Sequence, residues 1–237
     1  MEDQLARDVS SSLQKSVKEI YSGFKPLSDE EFEEISTTLD GYNDSPAFYV
    51  DHVGSAKDVI QTIIQFAENR RLLEQDKGLV VTIDHVLLTK GKNSEAEKAK
   101  IDDLSHSLVE LKKYFSSTGL RVIFIMLSQL NRDIQDRERV SNPRQHYPTM
   151  NDLFAASSVY QCSDYVLICH IPARLAGMGA HYGPPREGFK DGLPILCPDG
   201  SGHQMMYWHL IKERFGEPKV MMMFEDFKNS RVLEWNT

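Results

Sequence analysis

The stretch VIFIMLSQLNRD, residues 122–133, opens with an apolar run and then changes abruptly into polar side chains. A short apolar run followed by polar residues is typical of a buried strand that reaches the edge of a sheet. The polar side chains behind the run are Ser128, Gln129, Asn131 and Arg132. We therefore expect a buried strand over residues 121–127 with hydrogen-bonding groups at its carboxyl end.

A second apolar run, GLVVTIDHVLL at residues 78–88, follows a glycine and is nearly continuous. Such runs are typical of strands that are buried on both faces. Asp84 follows the first part of this run, just as Gln129 follows the run over 121–127. Because ligands of open α/β sheets bind beside the carboxyl ends of strands, we expect Asp84 and Gln129 to share one edge.

Asp84 and Gln129 each allow two interpretations. A carboxylate at such an edge can hold a magnesium-bound water beside a phosphate, and a glutamine can sense a γ-phosphate or orient a water. Asp84 is otherwise the first residue of a loop, and Gln129 is otherwise a polar group that closes a strand. Two neighbouring strands ending in polar groups favour a binding site more than either does alone.

Strand-like runs alternate with amphipathic segments, which predicts one α/β domain with a mostly parallel sheet. Residues 172–203 are rich in Gly and Pro and are predicted to be an insertion, after which an antiparallel meander ends the domain. Helices are predicted over 3–22, from the capping residue Ser28 onward, over 55–75 and over 94–118, and further strands over 47–54 and 164–171.

Composition limits the classes of function. The 237 residues carry a net charge of −8, so the chain as a whole is not a basic nucleic-acid coat. Three scattered cysteines form no disulfide framework, and the histidines show no metal-binding spacing. A polar, acidic N-terminus and the lack of any apolar run near about 20 residues predict no signal peptide, no membrane span and a cytoplasmic location.

Two segments carry candidate cationic sites. LIKERFGEP at 210–218 places Lys212 and Arg214 two residues apart, so a strand would project both to one face, where they could clamp a phosphate. An ordinary solvated strand end is an equal alternative. The segment 131–150 is basic and a candidate nucleic-acid loop, although nearby acidic residues keep a plain solvated loop as an alternative. Its relevant side chains are Arg132, Arg137, Arg139, Arg144, His146 and Tyr147.

These segments, in this order, resemble the C-terminal ATPase domain of the DnaB-type replicative helicases, which has a RecA-like fold. SQLNR at 128–132 is similar to the family's most specific motif, and GLVVTIDHVLL resembles its Walker B strand, with His85 where tyrosine is usual. Residues 148–167 resemble a Pro-x-x-x-Asp-Leu segment that ends in Gln-x-x-Asp. IKERFGEP at 211–218 matches a Lys-x-Arg-x-Gly pattern. The resemblance runs from about residue 3 to 235 and omits the insertion.

The resemblance implies a motor that uses ATP and magnesium in a homo- or hetero-hexameric ring on single-stranded DNA. The acidic, cysteine-poor composition fits the cytosol of a bacterium or of a bacteriophage-infected cell. Asp84 would hold magnesium through water, and Gln129 would couple the γ-phosphate to DNA-facing loops near 133–147 and 154–158. Lys212 and Arg214 would reach the nucleotide site of the adjacent subunit, with Arg214 as an arginine finger.

Two departures from the family pattern stand out. Where the family carries Arg-Glu-Ser-Gly after the Asp-Leu, this chain has Phe154, Ala155, Ala156 and Ser157, so a phosphate-binding arginine is replaced and Phe154 becomes a candidate for stacking on a base. No G-x-x-x-x-G-K-[ST] occurs in the chain, so the phosphate-binding loop and the strand leading into it are missing. That strand would lie between the strands at 121–127 and 164–170.

Three hypotheses account for the missing segment. The chain is one part of a split helicase completed by a second polypeptide that carries the Walker A segment, a truncated product, or a degenerate subunit of a mixed ring. The first two share the expectation that the chain alone hydrolyses no ATP. A rival from another class is a non-catalytic ring subunit or helicase-associated adaptor that keeps the fold for assembly.

Overall fold

The computed structural model describes residues 2–22, 26–43, 46–51, 54–84, 97–154 and 156–235. Between residues 56 and 170 helices alternate with strands, and beyond residue 170 strands dominate. The helices are α1 (Glu2–Leu13), α2 (Val17–Tyr21), α3 (Asp29–Asn43), α4 (Ala56–Asn69), α5 (Glu97–Thr118), α6 (Arg137–Val140) and α7 (Ala156–Cys162). The strands are β1 (Leu79–Ile83), β2 (Val122–Met126), β3 (Tyr165–His170), β4 (His181–Tyr182), β5 (Leu193–Pro194), β6 (Met205–Glu213), β7 (Lys219–Asp226) and β8 (Arg231–Glu234).

Local sequence signals set several helix ends as predicted. Ser28 N donates to the Glu31 carboxylate at 2.9 Å and Glu31 N donates back to Ser28 Oγ, which is the capping box expected before α3. Gly119, with a φ of 87°, follows the last residue of α5. The helix predicted over 3–22 is instead two helices, because Gln14 adopts a φ of 51° between them.

The first layer of the domain is a parallel pair of strands covered by helices on one face. Leu79 lies opposite Val122 in β1 and β2, and Ile83 lies opposite Met126. The strands pack against α4 and α5, which supply most of the largest hydrophobic cluster, and Leu104 of α5 is fully buried in it. This burial fits the apolar stripes of both helices.

The second layer is the antiparallel sheet β3-β6-β7-β8, whose last three strands form the meander expected from the sequence. The predicted insertion is an ordered unit rather than a plain loop, since β4 and β5 pair and their residues Tyr182 and Leu193 are buried with Met205 and Tyr207 of β6. The insertion therefore covers part of this sheet.

Within the described residues the two layers do not share a sheet, because β2 pairs only with β1 and β3 pairs only with β6. Helix α7 packs against both sheets. Its Val159 packs into the cluster of α4, α5, β1 and β2, whereas Tyr160 packs against Val166 and Ile168 of β3. The α/β class is as predicted, and the parallel part is limited to two strands.

Two sequence predictions are wrong. Residues 47–51 and 54 form no strand, and residues 52 and 53 lie outside the described part. The strands β1 and β2 are not buried on both faces, since alternate residues such as Val80 and Ile123 are exposed. Their second face meets no helix among the residues that the structure describes.

Candidate functional site

The parallel register of β1 and β2 places Asp84 and Gln129 at one edge. Ile83 lies opposite Met126, and Leu127 N donates to Ile83 O at 3.0 Å. Asp84 follows Ile83 directly and Gln129 lies just beyond Leu127, so both come after the carboxyl ends of their strands, and both are exposed. The two residues share the edge expected from the sequence, and their roles stay predictions.

Backbone pairing fixes the chain beyond Gln129. Phe154 N donates to Gln129 O at 3.2 Å, Asn131 N donates to Asp152 O at 2.7 Å, and an isolated bridge joins the intervening residues. The backbone of Gln129 is thus tied to the segment that leads into α7.

Lys212 and Arg214 lie where β6 ends, and both reach the junction of α7 and β3. Arg214 Nη1 lies 2.7 Å from Asp164 Oδ1, and Lys112 of α5 pairs with the same carboxylate. Lys212 Nζ donates to the backbone carbonyl of Tyr160 and lies 4.8 Å from the centroid of its ring. The structure brings the two cations together, and each already binds a group of this chain.

Asp164 is the anionic centre of this junction. The hydrogen bond from Lys112, with the charges of Lys112, Arg214 and Lys212, lowers the pKa of the Asp164 carboxyl below its usual value. The carbonyl of Asp164 also accepts a hydrogen bond from Arg214 N at 3.0 Å. The carboxylate is therefore ionised at neutral pH and holds the Arg214 side chain.

The basic segment 131–150 is folded and anchored by Arg139. Arg139 donates to both carboxylate oxygens of Asp152, with Nη2 to Oδ2 at 2.8 Å, and to Tyr147 O at 2.7 Å. Burial alone would raise the pKa of the Asp152 carboxyl, but the hydrogen bonds from Arg139 and Thr149 lower it. Since its guanidinium is bound within the protein, we assign Arg139 a structural role.

The other predicted DNA contacts differ in exposure. Arg132, Arg137 and Arg144 are exposed, and none of them forms an ion pair within the described residues. Phe154 packs against the main hydrophobic cluster, which leaves only part of its ring for stacking on a base. Ser157 belongs to α7, and its side chain lies outside the described part.

A buried cluster of histidines was missed by the sequence analysis. His146, His170 and His209 lie together, with His146 Nε2 at 3.3 Å from His170 Nε2 and Tyr182 Oη at 2.8 Å from His209 Nε2. His146 comes from the segment predicted to be a DNA loop, where its complete burial excludes a direct DNA contact. The sequence did contain one signal: every second residue of β3 is buried, and His170 lies on the same buried face as Val166.

Burial keeps these histidines neutral. It lowers the pKa of His170 to about 3 and that of His209 to about 4, and it also lowers the pKa of His146. The neighbouring Arg139 and Arg186 act in the same direction on His146 and His209, respectively. The cluster joins the segment 131–150, β3, β6 and the insertion in one apolar, aromatic core.

The sheet edge fits one part of a nucleotide site. The Asp84 carboxylate is the type of oxygen donor that magnesium prefers, acting through water. No cluster of three or more metal-ligating side chains occurs in the described residues, so no metal cage is built there. The phosphates of a nucleotide would lack a binding loop here, because the sequence contains no glycine-rich loop with a lysine.

No helix in the described part is long and apolar enough to cross a membrane.

Comparison with known proteins gives one family and several solved relatives. The family model for the DnaB-like helicase C-terminal domain matches residues 1–189, so the match ends before Lys212 and Arg214. A solved DnaB-like replicative helicase, described with its interactions with primase, has a TM-score of 0.69 and 14% identity over 99% of this chain. A second solved chain, described as an ATPase domain, has the same TM-score and identity.

This chain spans 48% of the first solved chain and 71% of the second, so both contain polypeptide beyond the part that matches. No curated protein matches the sequence. The structural likeness shows a RecA-like fold, in agreement with the fold and the α/β class expected from the sequence. Because the family model covers most of its length, the chain belongs to the DnaB-like helicase C-terminal domain family.

Proposed function

We propose that this chain is part of an ATP-dependent replicative DNA helicase motor that works in a hexameric ring on single-stranded DNA. The observation that carries the proposal is the register of β1 and β2, which brings Asp84 and Gln129 to one exposed sheet edge. An exposed carboxylate and amide at the carboxyl ends of parallel strands suit a magnesium nucleotide.

The proposed roles follow from position and chemistry. Asp84 holds magnesium through water, and Gln129 relays the state of the γ-phosphate through its backbone tie to Phe154. Lys212 and Arg214 serve the nucleotide site of the adjacent subunit, where a guanidinium stabilises the charge that develops on the phosphate. In that assembly Arg214 exchanges Asp164 for a phosphate.

Single-stranded DNA is proposed to contact the exposed cations of the segment 131–150. Arg132, Arg137 and Arg144 are the candidates, and Arg139 is removed from the set because Asp152 binds it. Backbone contacts of this kind are electrostatic and weaken with salt. We expect the anchored fold of the segment, rather than flexibility, to present these side chains in the ring channel.

We propose that a companion segment carrying G-x-x-x-x-G-K-[ST], such as one on a second polypeptide, completes the nucleotide site, because these 237 residues contain no phosphate-binding loop. These 237 residues alone then hydrolyse no ATP. The companion supplies the phosphate contacts and their lysine, and this chain supplies Asp84, Gln129 and the finger. The ring then contains six such completed subunits.

Arg214 gives the most direct test of the finger role. In a ring assembled with the companion, Arg214→Ala is expected to lower the rate of ATP hydrolysis by about a thousandfold or more. Arg214→Lys keeps the charge near Asp164 but loses the bidentate fork, so it separates a catalytic loss from a folding defect. Lys219→Ala, an exposed change on the same hairpin, is the matched control. Full ATP hydrolysis by rings that carry Arg214→Ala excludes a role of Arg214 as an arginine finger.

A non-catalytic ring subunit or helicase-associated adaptor is the second candidate. It is favoured by the engagement of both cations inside this chain, Arg214 with Asp164 and Lys212 with the Tyr160 carbonyl. If these contacts are purely structural, Arg214→Ala destabilises the chain but leaves hydrolysis by assembled rings unchanged. The same mixed-ring experiment therefore distinguishes the two functions.

A further inference from the structure

Phe215 is the most exposed of the large hydrophobic side chains in the described residues. It is 88% exposed and lies in the turn between β6 and β7, directly after Arg214. Turns usually carry small or polar residues, because Gly, Asn, Asp and Ser suit their backbone and water surrounds them. An aromatic ring that is held out on a hairpin tip is instead the type of side chain that anchors protein–protein interfaces.

An apolar pocket lies on the insertion. Its volume is about 730 Å³, and its lining contains no Asp, Glu, Lys or Arg side chain. The larger apolar side chains in the lining are Met178, Phe189, Ile195 and Leu196, and Leu196 is 48% exposed. Pockets of this size and composition take aromatic or aliphatic groups. The function proposed above gives this pocket no role.

Phe215 does not reach the pocket of its own chain. Ile195 O accepts from Met205 N at 3.0 Å, so the pocket lies beside the first residue of β6. Phe215 lies two residues beyond Glu213, the last residue of β6. The nine residues of this strand therefore separate the ring from the pocket by roughly 30 Å.

The ring and the pocket also lie on opposite sides of the domain. Phe215 lies near the amino end of β3, because β3 and β6 are antiparallel and the end of β6 pairs with the start of β3. The insertion follows the carboxyl end of β3 and is tied to the segment beyond Gln129, since Gly183 N donates to Pro143 O at 2.7 Å. The pocket is therefore on the side of the candidate nucleotide edge, and Phe215 is on the side away from it.

This placement suits a head-to-tail contact between two copies of the chain. A contact that joins opposite sides of one molecule leaves a free side on each partner, so copies add in one direction and form a ring where the rotation closes. The contact proposed for Arg214 has this direction, from one copy to the nucleotide edge of the next. Because Phe215 follows Arg214 directly, it enters the same neighbour.

We propose that Phe215 of one copy inserts into the apolar pocket on the insertion of the next copy. The occupant is a second copy because the pocket is uncharged and the chain itself presents an unburied aromatic ring on the opposite side. Exposed charges of both signs surround the two surfaces, with Arg214 and Glu217 beside Phe215, and Lys190 and Asp199 directly after residues that line the pocket. They supply the polar rim that surrounds an apolar contact.

Complementation between two variants of the full chain tests this contact. Phe215→Lys removes the ring and Leu196→Lys places a charge in the pocket, and both chains are expected to keep the fold because both positions are exposed. Sedimentation of the unmodified chain is expected to show association that increases with concentration, and each variant alone weakens it at least about tenfold. An equimolar mixture of the two variants recovers a dimer, because the intact Phe215 of one meets the intact pocket of the other.

Tyr114→Lys is the control for added charge, since Tyr114 is an exposed aromatic residue of α5 away from both surfaces, and it is expected to leave association unchanged. Association that persists in Phe215→Lys overturns the proposal. Two variants that fail to complement each other overturn it as well, because they exclude a head-to-tail contact. A chain that sediments as a monomer at every concentration has the same consequence.

Photo-cross-linking then locates the contact. The chain carries benzoylphenylalanine at Phe215 and is mixed with an isotope-labelled copy, so that links between copies are recognised by mass. We expect links to residues 178–198 of the other copy and their loss when that copy carries Leu196→Lys. Links that fall outside the insertion contradict the assignment of the pocket.

The direction of the contact rests on the proposed function, whereas the pairing of ring and pocket rests on exposure and composition, so the two proposals fail in different ways. Copies that associate through these two sites but form rings without ATP hydrolysis support the contact and contradict the motor. Rings that lose hydrolysis in Arg214→Ala but assemble normally in Phe215→Lys support the motor and overturn the contact.

Discussion

The two layers of this domain meet the same physical requirement differently. In the second layer, β6 is apolar and its buried residues are covered by the insertion, where Tyr207 Oη donates to Pro194 O at 2.6 Å. In the first layer, β1 and β2 are equally apolar, but alternate residues such as Ile123 are exposed. One layer carries its own cover, whereas the other has an uncovered face and an unpaired strand edge within the described residues.

This difference shows that an apolar pattern reports the environment a strand requires, not the one that a given set of residues provides. The antiparallel layer is completed by residues of the same chain, including the histidine and tyrosine cluster that ties the segment 131–150 to it. The parallel layer bears the candidate nucleotide edge and has no cover on its second face among the described residues.

The largest expected effect is on the covered layer. Tyr207 is fully buried, so Tyr207→Ala removes a large side chain and leaves a cavity between β6 and the insertion, which costs about 3–5 kcal/mol of the free energy of unfolding. Tyr165→Ala, at a tyrosine of β3 that is mostly exposed, is the matched control and is expected to change the free energy by no more than about 0.5 kcal/mol. Urea unfolding measures the free energy of unfolding of both variants, and equal losses contradict the difference in burial between the two positions.

Much of this architecture was predictable because it depends on local signals. The runs that became β1, β2 and β3, the Ser28 capping box and Gly119 after α5 each act within a few residues, and the parallel relation of Asp84 and Gln129 follows from strand order. The absence of the segment that would join the strands at 121–127 and 164–170 allowed either a gap or a re-pairing, and the described residues show a gap. Its consequence, the exposed face of β2, required the structure.

The errors came from long-range contacts. Arg139 resembles its neighbouring arginines in the sequence, but its burial against Asp152 depends on a pairing across 13 positions. The histidine cluster joins His146 to His170, 24 positions along the chain, and His170 to His209, 39 positions further on, so no spacing rule identifies it. The run over 47–54 has strand composition, but no partner strand meets it in the described residues.

Acid is expected to destabilise the covered layer through its buried histidines. Because burial lowers the pKa of His170 to about 3 and of His209 to about 4 in the folded chain, the unfolded chain binds more protons below pH 6.5 or so. Stability is therefore complete above that pH and falls as the pH drops toward 4, by about 1.4 kcal/mol per pH unit for each histidine.

Urea unfolding between pH 7 and pH 4 measures this slope. His209→Gln is expected to flatten it, whereas His181→Gln, at an exposed histidine of β4, leaves it unchanged. A slope in the His209→Gln chain equal to that of the unmodified chain contradicts the assignment of the acid sensitivity to this cluster.

The smallest effect is expected on the exposed face of β1 and β2, which includes Ile123. Ile123→Ala in the free chain changes the free energy of unfolding by no more than about 0.5 kcal/mol, because the side chain is already exposed. Phe124→Ala, one residue along the same strand, removes a side chain that packs against the main cluster and costs about 2–4 kcal/mol. A large loss of unfolding free energy in Ile123→Ala shows that this face is covered in the free chain. The two layers then do not differ in the way described.

ATP hydrolysis by the purified chain, measured alone and after mixing with a companion that carries G-x-x-x-x-G-K-[ST], tests most directly whether this chain contributes one part of a divided nucleotide site. We expect no hydrolysis by the chain alone and DNA-stimulated hydrolysis by the mixture, lost again in Asp84→Asn. Hydrolysis by the chain alone, or a mixture that forms a stable complex but hydrolyses no ATP, contradicts the divided site.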